Sequence, residues 1–258
     1  MKKMLALVLA MMMVLATVPA MAGETVFKMG FDAEYPPYTY MGDDGEYTGF
    51  DIEMCQGVCD ILGWKMEFVP VNWDTKLISL DAGEVDCIWS GLTIDVISPE
   101  DYTLSMAYSN NSQMILTKKS NGIETLSDLA GKIVGVQLGT SADILLQNDQ
   151  AELAATFGEL QRFENYNTCF TELMAGSIDA IAIDIGVAAG KIAQYGEEYV
   201  MLDESIAAEQ YGICFRKADA EMCAQVEEAY MKLVEDGTYL SLAEKYGLDT
   251  NALCLLNK

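Results

Sequence analysis

Residues 49–71, GFDIEMCQGVCDILGWKMEFVPV, contain the helix–strand unit from which the fold is predicted. The spacing of apolar side chains predicts a helix over Phe50–Leu62, because one stripe along this segment is apolar. The stripe consists of Cys55, Val58, Cys59 and Leu62. Gly63 ends the helix, since glycine readily adopts the left-handed conformation that closes helices. Residues 65–71 follow as a strand.

Strands and helices alternate in the same way along the rest of the chain. Further strands are predicted over residues 25–31, 85–89, 113–117, 132–136 and 180–183. Further helices are predicted over residues 75–82 with Asp74 as the cap, after Ser141, over 168–175, up to Tyr195, over 219–235 and up to Gly247. Repeated units of this kind predict an α/β fold with parallel strands covered by helices.

Two extended segments, residues 112–119 and 209–217, each end in a basic pair and bracket the middle of the chain. If both segments cross between two lobes, residues 23–117 and 209–258 form lobe 1 and residues 118–208 form lobe 2. Ligands of open α/β sheets bind at the carboxyl ends of the strands. The expected binding site is therefore a cleft between the lobes.

The first 22 residues have the composition of a secretory signal. Lys2 and Lys3 precede the apolar residues 4–18, and residues 19–22, PAMA, end in a small-x-small pattern. An uncleaved anchor is the alternative, because spanning a bilayer takes about 20 residues. No cysteine precedes Cys55, so no lipid anchor is expected at the signal junction. We expect an exported protein, periplasmic or at the cell surface.

The charge composition excludes several functions. The chain has 40 acidic and 15 basic residues, a formal charge of −25 and no histidine. Catalysis by imidazole and histidine-rich zinc sites are therefore excluded. Nucleic acid is not an expected partner, because proteins bind its phosphates with lysine and arginine. The phosphate-loop and dinucleotide motifs are also absent, so no cofactor is predicted.

The cysteines and one acidic run have simple structural interpretations. Seven cysteines form an odd set without any C-x-x-C pair, which favours buried small side chains over a metal cluster. Residues 42–46, GDDGE, predict a solvated hairpin turn, with weak calcium binding as the alternative. No metal site is predicted.

The run GFDIEM at residues 49–54 resembles the signature of the family 3 solute-binding proteins, the polar amino-acid receptors of bacterial ABC importers. The resemblance extends over residues 31–38, 73–74, 86–93, 126–132, 135–141, 178–184 and 246–247. It implies a two-lobed, type II periplasmic-binding-protein-like fold with two hinge strands. It also implies a monomer that performs no chemistry, closes on a small solute and delivers it to a permease in the membrane.

The resemblance also implies which residues bind the ligand. They are Asp32, Tyr35, Trp73, Ser90, Gly91, Thr93, Gln137, Thr140, Ser141 and Asp184. Tyr35 and Trp73 would be aromatic walls. Ser90, Gly91 and Thr93 would bind the α-carboxylate from the loop after a strand, together with the helix start at Thr140 and Ser141. Asp32 and Gln137 would hold polar parts of the ligand, and Asp184 would accept its α-ammonium.

Most of these residues also have a purely structural interpretation. Tyr35 and Trp73 could be core side chains, and Ser90 with Gly91 could form a turn. Thr140 or Ser141 could serve merely as the N-cap of a helix, without binding the ligand. Asp184 could do the same for the helix that follows it.

The chain lacks the arginine that commonly binds the α-carboxylate of the ligand in this family. Residues 93–100, TIDVISPE, contain none, and the whole chain has only Arg162 and Arg216. Either helix N-termini and Lys76 replace it, or the ligand is not an ordinary α-amino acid. Four acids near the expected cleft favour a ligand bearing an ammonium, such as a cationic amino acid or an amine. They are Asp32, Glu34, Asp95 and Asp184.

Two other functions stay open at this stage. The altered segment 95–100 allows a sensor or orphan receptor with a changed ligand. Some proteins of this fold are dehydratases of cyclohexadienyl acids, and Glu34 and Asp184 could serve as the general acid. Such an enzyme must hold a ligand carboxylate, so the missing arginine argues against it.

Overall fold

The computed structural model describes residues 25–256, and the predicted signal segment lies outside them. The strands are β1 (Val26–Phe31), β2 (Glu34–Tyr35), β3 (Thr39–Met41), β4 (Tyr47–Thr48), β5 (Lys65–Pro70), β6 (Cys87–Thr93), β7 (Tyr102–Leu104), β8 (Ser109–Lys118), β9 (Ile133–Gln137), β10 (Glu159–Phe163), β11 (Ala180–Asp184), β12 (Tyr199–Met201) and β13 (Ala207–Arg216). The α-helices are α1 (Phe50–Leu62), α2 (Lys76–Asp81), α3 (Ser141–Gln147), α4 (Ala151–Ala154), α5 (Tyr166–Ala175), α6 (Ile185–Tyr195), α7 (Ala220–Glu235) and α8 (Thr238–Lys245).

Most strands form one ten-stranded mixed sheet in two halves. Its order is β10-β9-β11-β8-β13-β6-β1-β5, with β12 added to β8 and β7 added to β13. The first half contains the parallel strands β5, β1 and β6. The second half contains the parallel strands β10, β9 and β11. The alternation of helices and strands in the sequence thus produces two parallel sets.

Two long antiparallel strands, β8 and β13, join the halves. Residues 109–113 of β8 pair with residues 207–211 of β13. Residues 113–117 of β8 pair instead with β11, and residues 211–215 of β13 pair with β6. Each strand therefore belongs to both halves, which is why the two parallel sets face each other.

The predicted helix–strand unit is present with the expected boundaries. Helix α1 spans Phe50–Leu62 and ends at Gly63, whose φ of 67° is left-handed. The stripe residues Cys55, Val58 and Cys59 are fully buried, and α1 packs against α7 and α8. Burial of this apolar face, rather than helix propensity, anchors α1 to the sheet.

Two local predictions were wrong. Asp74 does not cap the helix near residue 75, because a 3₁₀ helix over Trp73–Thr75 comes first and Asn72 accepts the N–H of Asp74. The strand predicted over residues 85–89 runs instead over Cys87–Thr93, since its second half pairs with β13. Residues 90–93 are therefore part of a fully buried strand and not a loop after it.

Other local predictions are confirmed. Residues 42–46 connect β3 and β4 in a hairpin, in which the Gly42 N–H donates to the Glu46 carbonyl over 2.8 Å. Six of the cysteines are buried, namely Cys55, Cys59, Cys87, Cys169, Cys214 and Cys223, and no disulfide joins them. Burial raises the pKa of the Cys87 thiol, as expected for an inert core residue.

Candidate ligand-binding site

A small cavity of about 20 Å³ lies where the carboxyl ends of the two parallel sets meet. Tyr35 and Trp73 follow β1 and β5, whereas Asp184 ends β11 on the opposite side. Seven of the ten predicted site residues line the cavity: Tyr35, Trp73, Gly91, Thr93, Thr140, Ser141 and Asp184. Asp32, Ser90 and Gln137 are buried nearby but are not among its lining residues.

Asp184 is buried, with 3% of its surface exposed, and is held by hydrogen bonds rather than by a helix. Its Oδ1 accepts from Asn111 Nδ2 at 2.8 Å, Gln113 Nε2 at 2.6 Å and the Tyr211 hydroxyl at 2.6 Å. Its Oδ2 accepts from the Tyr166 hydroxyl at 3.1 Å. The side chain makes no capping bond to α6, although Asp184 occupies the N-cap position. The cap interpretation is therefore excluded.

A second carboxylate, Glu209 on β13, lies beside Asp184 and was not predicted. Only 5% of Glu209 is exposed. Its Oε1 accepts from Thr93 Oγ1 at 2.8 Å and Ser141 Oγ at 3.2 Å. It also accepts from Asn111 Nδ2 at 2.6 Å and Gln113 Nε2 at 2.8 Å. Burial, and next the charge of Asp184, raise the pKa of Glu209 to about 7.

The signal that would have found Glu209, Asn111 and Gln113 is the period of two in a strand. Along β13 the buried positions Glu209, Tyr211 and Ile213 alternate, and the exposed Ala208 and Gln210 lie on the other face. On β8, Ser109, Asn111 and Gln113 are buried in the same way. Buried polar residues at inward positions of two predicted hinge strands mark them as candidates.

Lys76 supplies the cation of the cavity wall. Its Nζ donates to the carbonyl of Trp73 at 3.0 Å and to the carbonyl of Gly139 at 2.7 Å. It also lies 4.7 Å from the centroid of the Trp73 ring, so a cation–π contact already exists within the chain. Burial lowers the pKa of Lys76 to about 8. Lys76 thus links the two halves and faces the cavity.

The start of α3 forms the wall opposite Lys76. Thr140 is the N-cap, and its Oγ1 accepts from the Asp143 N–H at 3.3 Å. Ser141 accepts from Thr93 at 3.2 Å, a hydrogen bond between the two halves. Gly139 has a φ of 70°, and a Cβ there would come within 2.6 Å of Asp74 Cα. Glycine is thus needed at residue 139 both for its conformation and for the close approach of the halves.

Asp32 and Gln137 bridge the halves behind the cavity wall. Gln137 Nε2 donates to Asp32 Oδ2 at 2.7 Å, while Asp32 Oδ1 accepts from the Glu34 N–H at 2.8 Å. Burial raises the pKa of Asp32. The fold brings these two predicted site residues together. They bond to each other, however, and neither lines the cavity.

Ser90 and Gly91, which were predicted to donate hydrogen bonds to a ligand carboxylate, already have hydrogen-bond partners within the chain. Asp51 Oδ2 accepts from the Gly91 N–H at 2.7 Å and from the Tyr108 hydroxyl at 2.9 Å. The Ser90 hydroxyl accepts from the Asp32 N–H at 3.3 Å and bonds to the Thr39 hydroxyl. Ser90 therefore supports the cavity wall from behind, whereas Gly91 lines the cavity with its N–H directed at Asp51.

The two arginines are also engaged within the chain. Arg162 forms a bidentate ion pair with the Asp143 carboxylate, with Nε at 2.7 Å from Oδ1 and Nη2 at 2.6 Å from Oδ2. Arg216 pairs with Asp86 and Asp219 and donates to backbone carbonyls. Neither residue lines the cavity. The absent family arginine is therefore not replaced by another arginine.

Two of the acids that were expected near the cleft lie at the surface. Glu34 is exposed and accepts from Asn167 Nδ2 at 3.0 Å. Asp95 is exposed and accepts from the Gln210 N–H at 2.7 Å. Each is held outside because a surface donor satisfies it. Asp184 and Glu209 are thus the two neighbouring buried acids on this side of the cavity.

Within residues 25–256, no cluster of acids, cysteines or histidines is arranged to hold a metal ion. None of the helices in that range is long and apolar enough to cross a membrane.

A two-lobed α/β fold, crossed by two strands and enclosing a small cavity between the lobes, is typical of solute-binding proteins. The sequence agrees with this class. Residues 27–249 match the model of the bacterial extracellular solute-binding proteins, family 3. The chain belongs to this family.

The relatives are named for amino acids. The L-cystine-binding protein TcyJ of Escherichia coli K12 is 31% identical over 221 residues, which cover 84% of this chain and 81% of that protein. A histidine-bound substrate-binding protein of an ABC uptake transporter from Streptococcus pneumoniae superposes with a TM-score of 0.84 at 28% identity, covering 89% of this chain and 94% of that chain. AncCDT-1, an ancestral amino acid-binding protein and precursor of cyclohexadienyl dehydratase, superposes with a TM-score of 0.77 at 32% identity, covering 86% and 95%.

These findings confirm the predicted family, the two-lobed fold and the general function. The protein is an amino-acid solute-binding protein of the kind that serves ABC importers. The family is extracellular, which implies export. The relatives reported above are binding proteins.

Proposed function

We propose that the protein captures an amino acid, or a related ammonium-bearing solute, by closing its two lobes around it. Lobe 1 comprises residues 23–117 and 209–258, and lobe 2 comprises residues 118–208. The exchange of pairing partners along β8 and β13 supports this division, because both strands pass from one sheet half to the other. Bending these two strands opens and closes the cavity.

Asp184 accepts the ammonium group of the ligand. The observation that carries this proposal is its carboxylate, which lines the cavity, is oriented by neutral amides and hydroxyls and makes no capping bond to α6. Because all of its protein partners are neutral, this carboxylate can form charge-assisted hydrogen bonds with a ligand ammonium.

Lys76 binds the ligand carboxylate in place of the missing arginine. It lines the cavity, and its two hydrogen bonds to backbone carbonyls leave one N–H of the ammonium for a ligand. Tyr35 and Trp73 provide apolar walls, and Thr93, Thr140 and Ser141 line the rest. Asp32, Ser90, Gly91 and Gln137 support these walls through their own hydrogen bonds.

The protein works outside the cytoplasm, in the periplasm or at the cell surface, after removal of the signal at residues 1–22. It acts as a monomer that passes its ligand to an ABC permease, and it is not an enzyme. The position of Glu34 supports the last point, because this candidate general acid is exposed and does not line the cavity.

The alternative of a sensor with a changed ligand rests on segment 95–100, of which Val96 and Ile97 line the cavity.

The test is calorimetric titration of Asp184→Asn with the amino acid that the unmodified protein binds. Hydrogen bonds to charged groups contribute about 1.5–3 kcal/mol, so the dissociation constant should rise about 10- to 100-fold. Asp149→Asn, at an exposed position of the same lobe, changes the net charge equally and should bind normally. Unchanged affinity in Asp184→Asn would refute the ammonium assignment.

A further inference from the structure

A second cavity lies beside the long strand β8, and we call it the hinge cavity. Its volume is about 670 Å³, which is in the range of cavities that bind small molecules. Residues 109–112 of β8, residues 246–249 after α8 and one face of α6 line it, together with Pro37 and Tyr38. None of the described residues that line the hinge cavity also lines the cavity of the candidate site. The two cavities are therefore distinct.

The wall that α6 contributes is apolar and made of small residues. Gly186, Ala189, Gly190 and Ala193 recur every three or four positions and so lie on one face of the helix. A Cβ at Gly190 would meet nothing within 4 Å, so this face is open. Leu248 lines the cavity from another element. An apolar molecule on this wall would gain free energy by leaving water.

A buried acceptor without a partner lies at the β8 side of the hinge cavity. Asn111 lines the cavity and is only 5% exposed. Its Nδ2 donates to Asp184 and Glu209, neither of which lines the hinge cavity. The nitrogen and oxygen of a carboxamide point in different directions, and Asn111 Oδ1 has no hydrogen-bond partner among the described residues. The amide oxygen is therefore the group that a molecule in the hinge cavity can satisfy.

A second buried polar group without a hydrogen bond belongs to Tyr38. This residue lines the hinge cavity and is only 4% exposed. Its hydroxyl lies next to α6, since a Cβ at Gly186 would come within 2.6 Å of it. Within the described part of the chain this hydroxyl makes no hydrogen bond. Because buried polar groups are normally paired, the lining of the hinge cavity leaves one acceptor and one hydroxyl to be satisfied.

We propose that the hinge cavity is a second binding site, which takes a neutral molecule with an apolar body and a hydroxyl group. A hydroxyl can donate to Asn111 Oδ1 and accept from Tyr38, while the apolar body packs on α6. The described lining contains no lysine or arginine, so an anion would lack a counter-ion there.

Occupancy of the hinge cavity should favour the closed arrangement of the lobes. Its wall combines Pro37 and Tyr38 with α6, which belong to opposite lobes, and β8, which joins the lobes. A molecule that contacts both lobes in this arrangement stabilises it relative to an open one. This effect on closure rests on the proposed function, whereas the binding of the alcohol does not.

The test of the site is an NMR titration of the ¹⁵N-labelled protein with 3-phenylpropanol and, separately, with its methyl ether, which lacks the O–H donor. We expect the alcohol to bind at least about fivefold more tightly than the ether. The largest amide shifts should fall on Tyr38, Asn111 and Gly190. Equal affinities, or shifts confined to residues of the other cavity such as Thr93 and Ser141, would overturn the proposal.

The variant Ala189→Trp fills the hinge cavity from the exposed face of α6. It should weaken binding of the alcohol at least about 10-fold by steric exclusion. Ala224→Trp, at an exposed position of α7 that does not line the cavity, is the matched control and should bind the alcohol normally. Unchanged binding in Ala189→Trp would overturn the site. So would a dimer in light scattering that this substitution dissociates, because a second copy of the chain would then cover the cavity.

X-ray scattering tests the effect on closure without any amino acid. The radius of gyration of the protein should fall when 3-phenylpropanol binds. An unchanged radius with the alcohol bound would overturn the effect on closure and leave the site standing. If the alcohol binds as expected but no amino acid does, the proposed function fails and the hinge cavity remains a binding site.

Discussion

Asp184 and Asp51 are both buried aspartates, but their partners give them different roles. Asp184 lines the cavity and is held by side-chain amides and hydroxyls from several elements. Asp51, on α1, accepts from the backbone N–H of Gly91 and from the Tyr108 hydroxyl and does not line the cavity. At the scale of single residues, the proposed ligand binding thus depends on Asp184, whereas Asp51 holds the strand that carries Gly91 and Thr93.

Asp51 should make the stability depend on pH. Burial raises its pKa to about 7 in the folded protein, against about 3.9 in an unfolded chain. Between these values the folded state holds a proton that the unfolded state has lost, so the free energy of unfolding falls as the pH rises. At 1.36 kcal/mol per pKa unit, the loss amounts to at most about 4 kcal/mol and is complete above about pH 7.

The variant Asp51→Asn removes this titration. Urea unfolding of the two proteins from pH 4.5 to 8 should show the unmodified protein losing stability relative to Asp51→Asn as the pH rises. The comparison isolates Asp51, because other groups titrate in both proteins. A difference that does not change with pH would contradict the prediction.

Among the secondary-structure elements, the turn between β9 and α3 sets how closely the lobes approach. Gly139 in this turn lies against Asp74 of lobe 1, and its carbonyl accepts from Lys76. In Gly139→Ala the new Cβ would clash with the Asp74 backbone, 2.6 Å away, and closure should be incomplete. We expect affinity to fall at least about 10-fold, the equivalent of 1.4 kcal/mol.

Gly122→Ala is the matched control for this prediction. Gly122 has a similar φ of 64° in the same lobe, but a Cβ there meets nothing within 4 Å. Both variants carry the left-handed strain, so both should be less stable, and only Gly139→Ala should bind weakly and keep a larger radius of gyration with ligand in X-ray scattering. Equal ligand affinity in the two variants would show that the contact of Gly139 with Asp74 does not limit closure.

The elements differ in how far the sequence predicted them. Helix α1 was predicted to the residue, because its apolar stripe and Gly63 are local signals. The extension of β6 through Ser90–Thr93 was missed, because it depends on pairing with β13, which is distant in sequence. Asp184, the last residue of β11, was predicted because the family resemblance implies a ligand-binding acid at this position. Glu209 was missed since an acid in a hinge strand is expected to face water, and here Thr93, Asn111 and Gln113 from other strands satisfy it.

For the whole molecule, the excess of acids and the scarcity of arginine have separate consequences. The net charge of −25, from 40 acidic and 15 basic residues, argues against nucleic acid as a partner but does not determine the ligand. Under the proposed function, the few charges at the cavity determine the ligand. Asp184 and Lys76 line the cavity, Asp32 and Glu209 are buried behind its walls, and both arginines are engaged elsewhere. This balance distinguishes the chain from a receptor that grips its ligand by an arginine.

The most direct test of the central claim is a thermal-shift screen of the purified protein, freed of bound ligand by unfolding and refolding, against the common amino acids and small amines. A ligand present at 100 times its dissociation constant should stabilise the protein by about 2.7 kcal/mol. We predict a clear rise in melting temperature with at least one amino acid, and the largest rise with a cationic one. The absence of any shift with every amino acid at millimolar concentration would contradict the account.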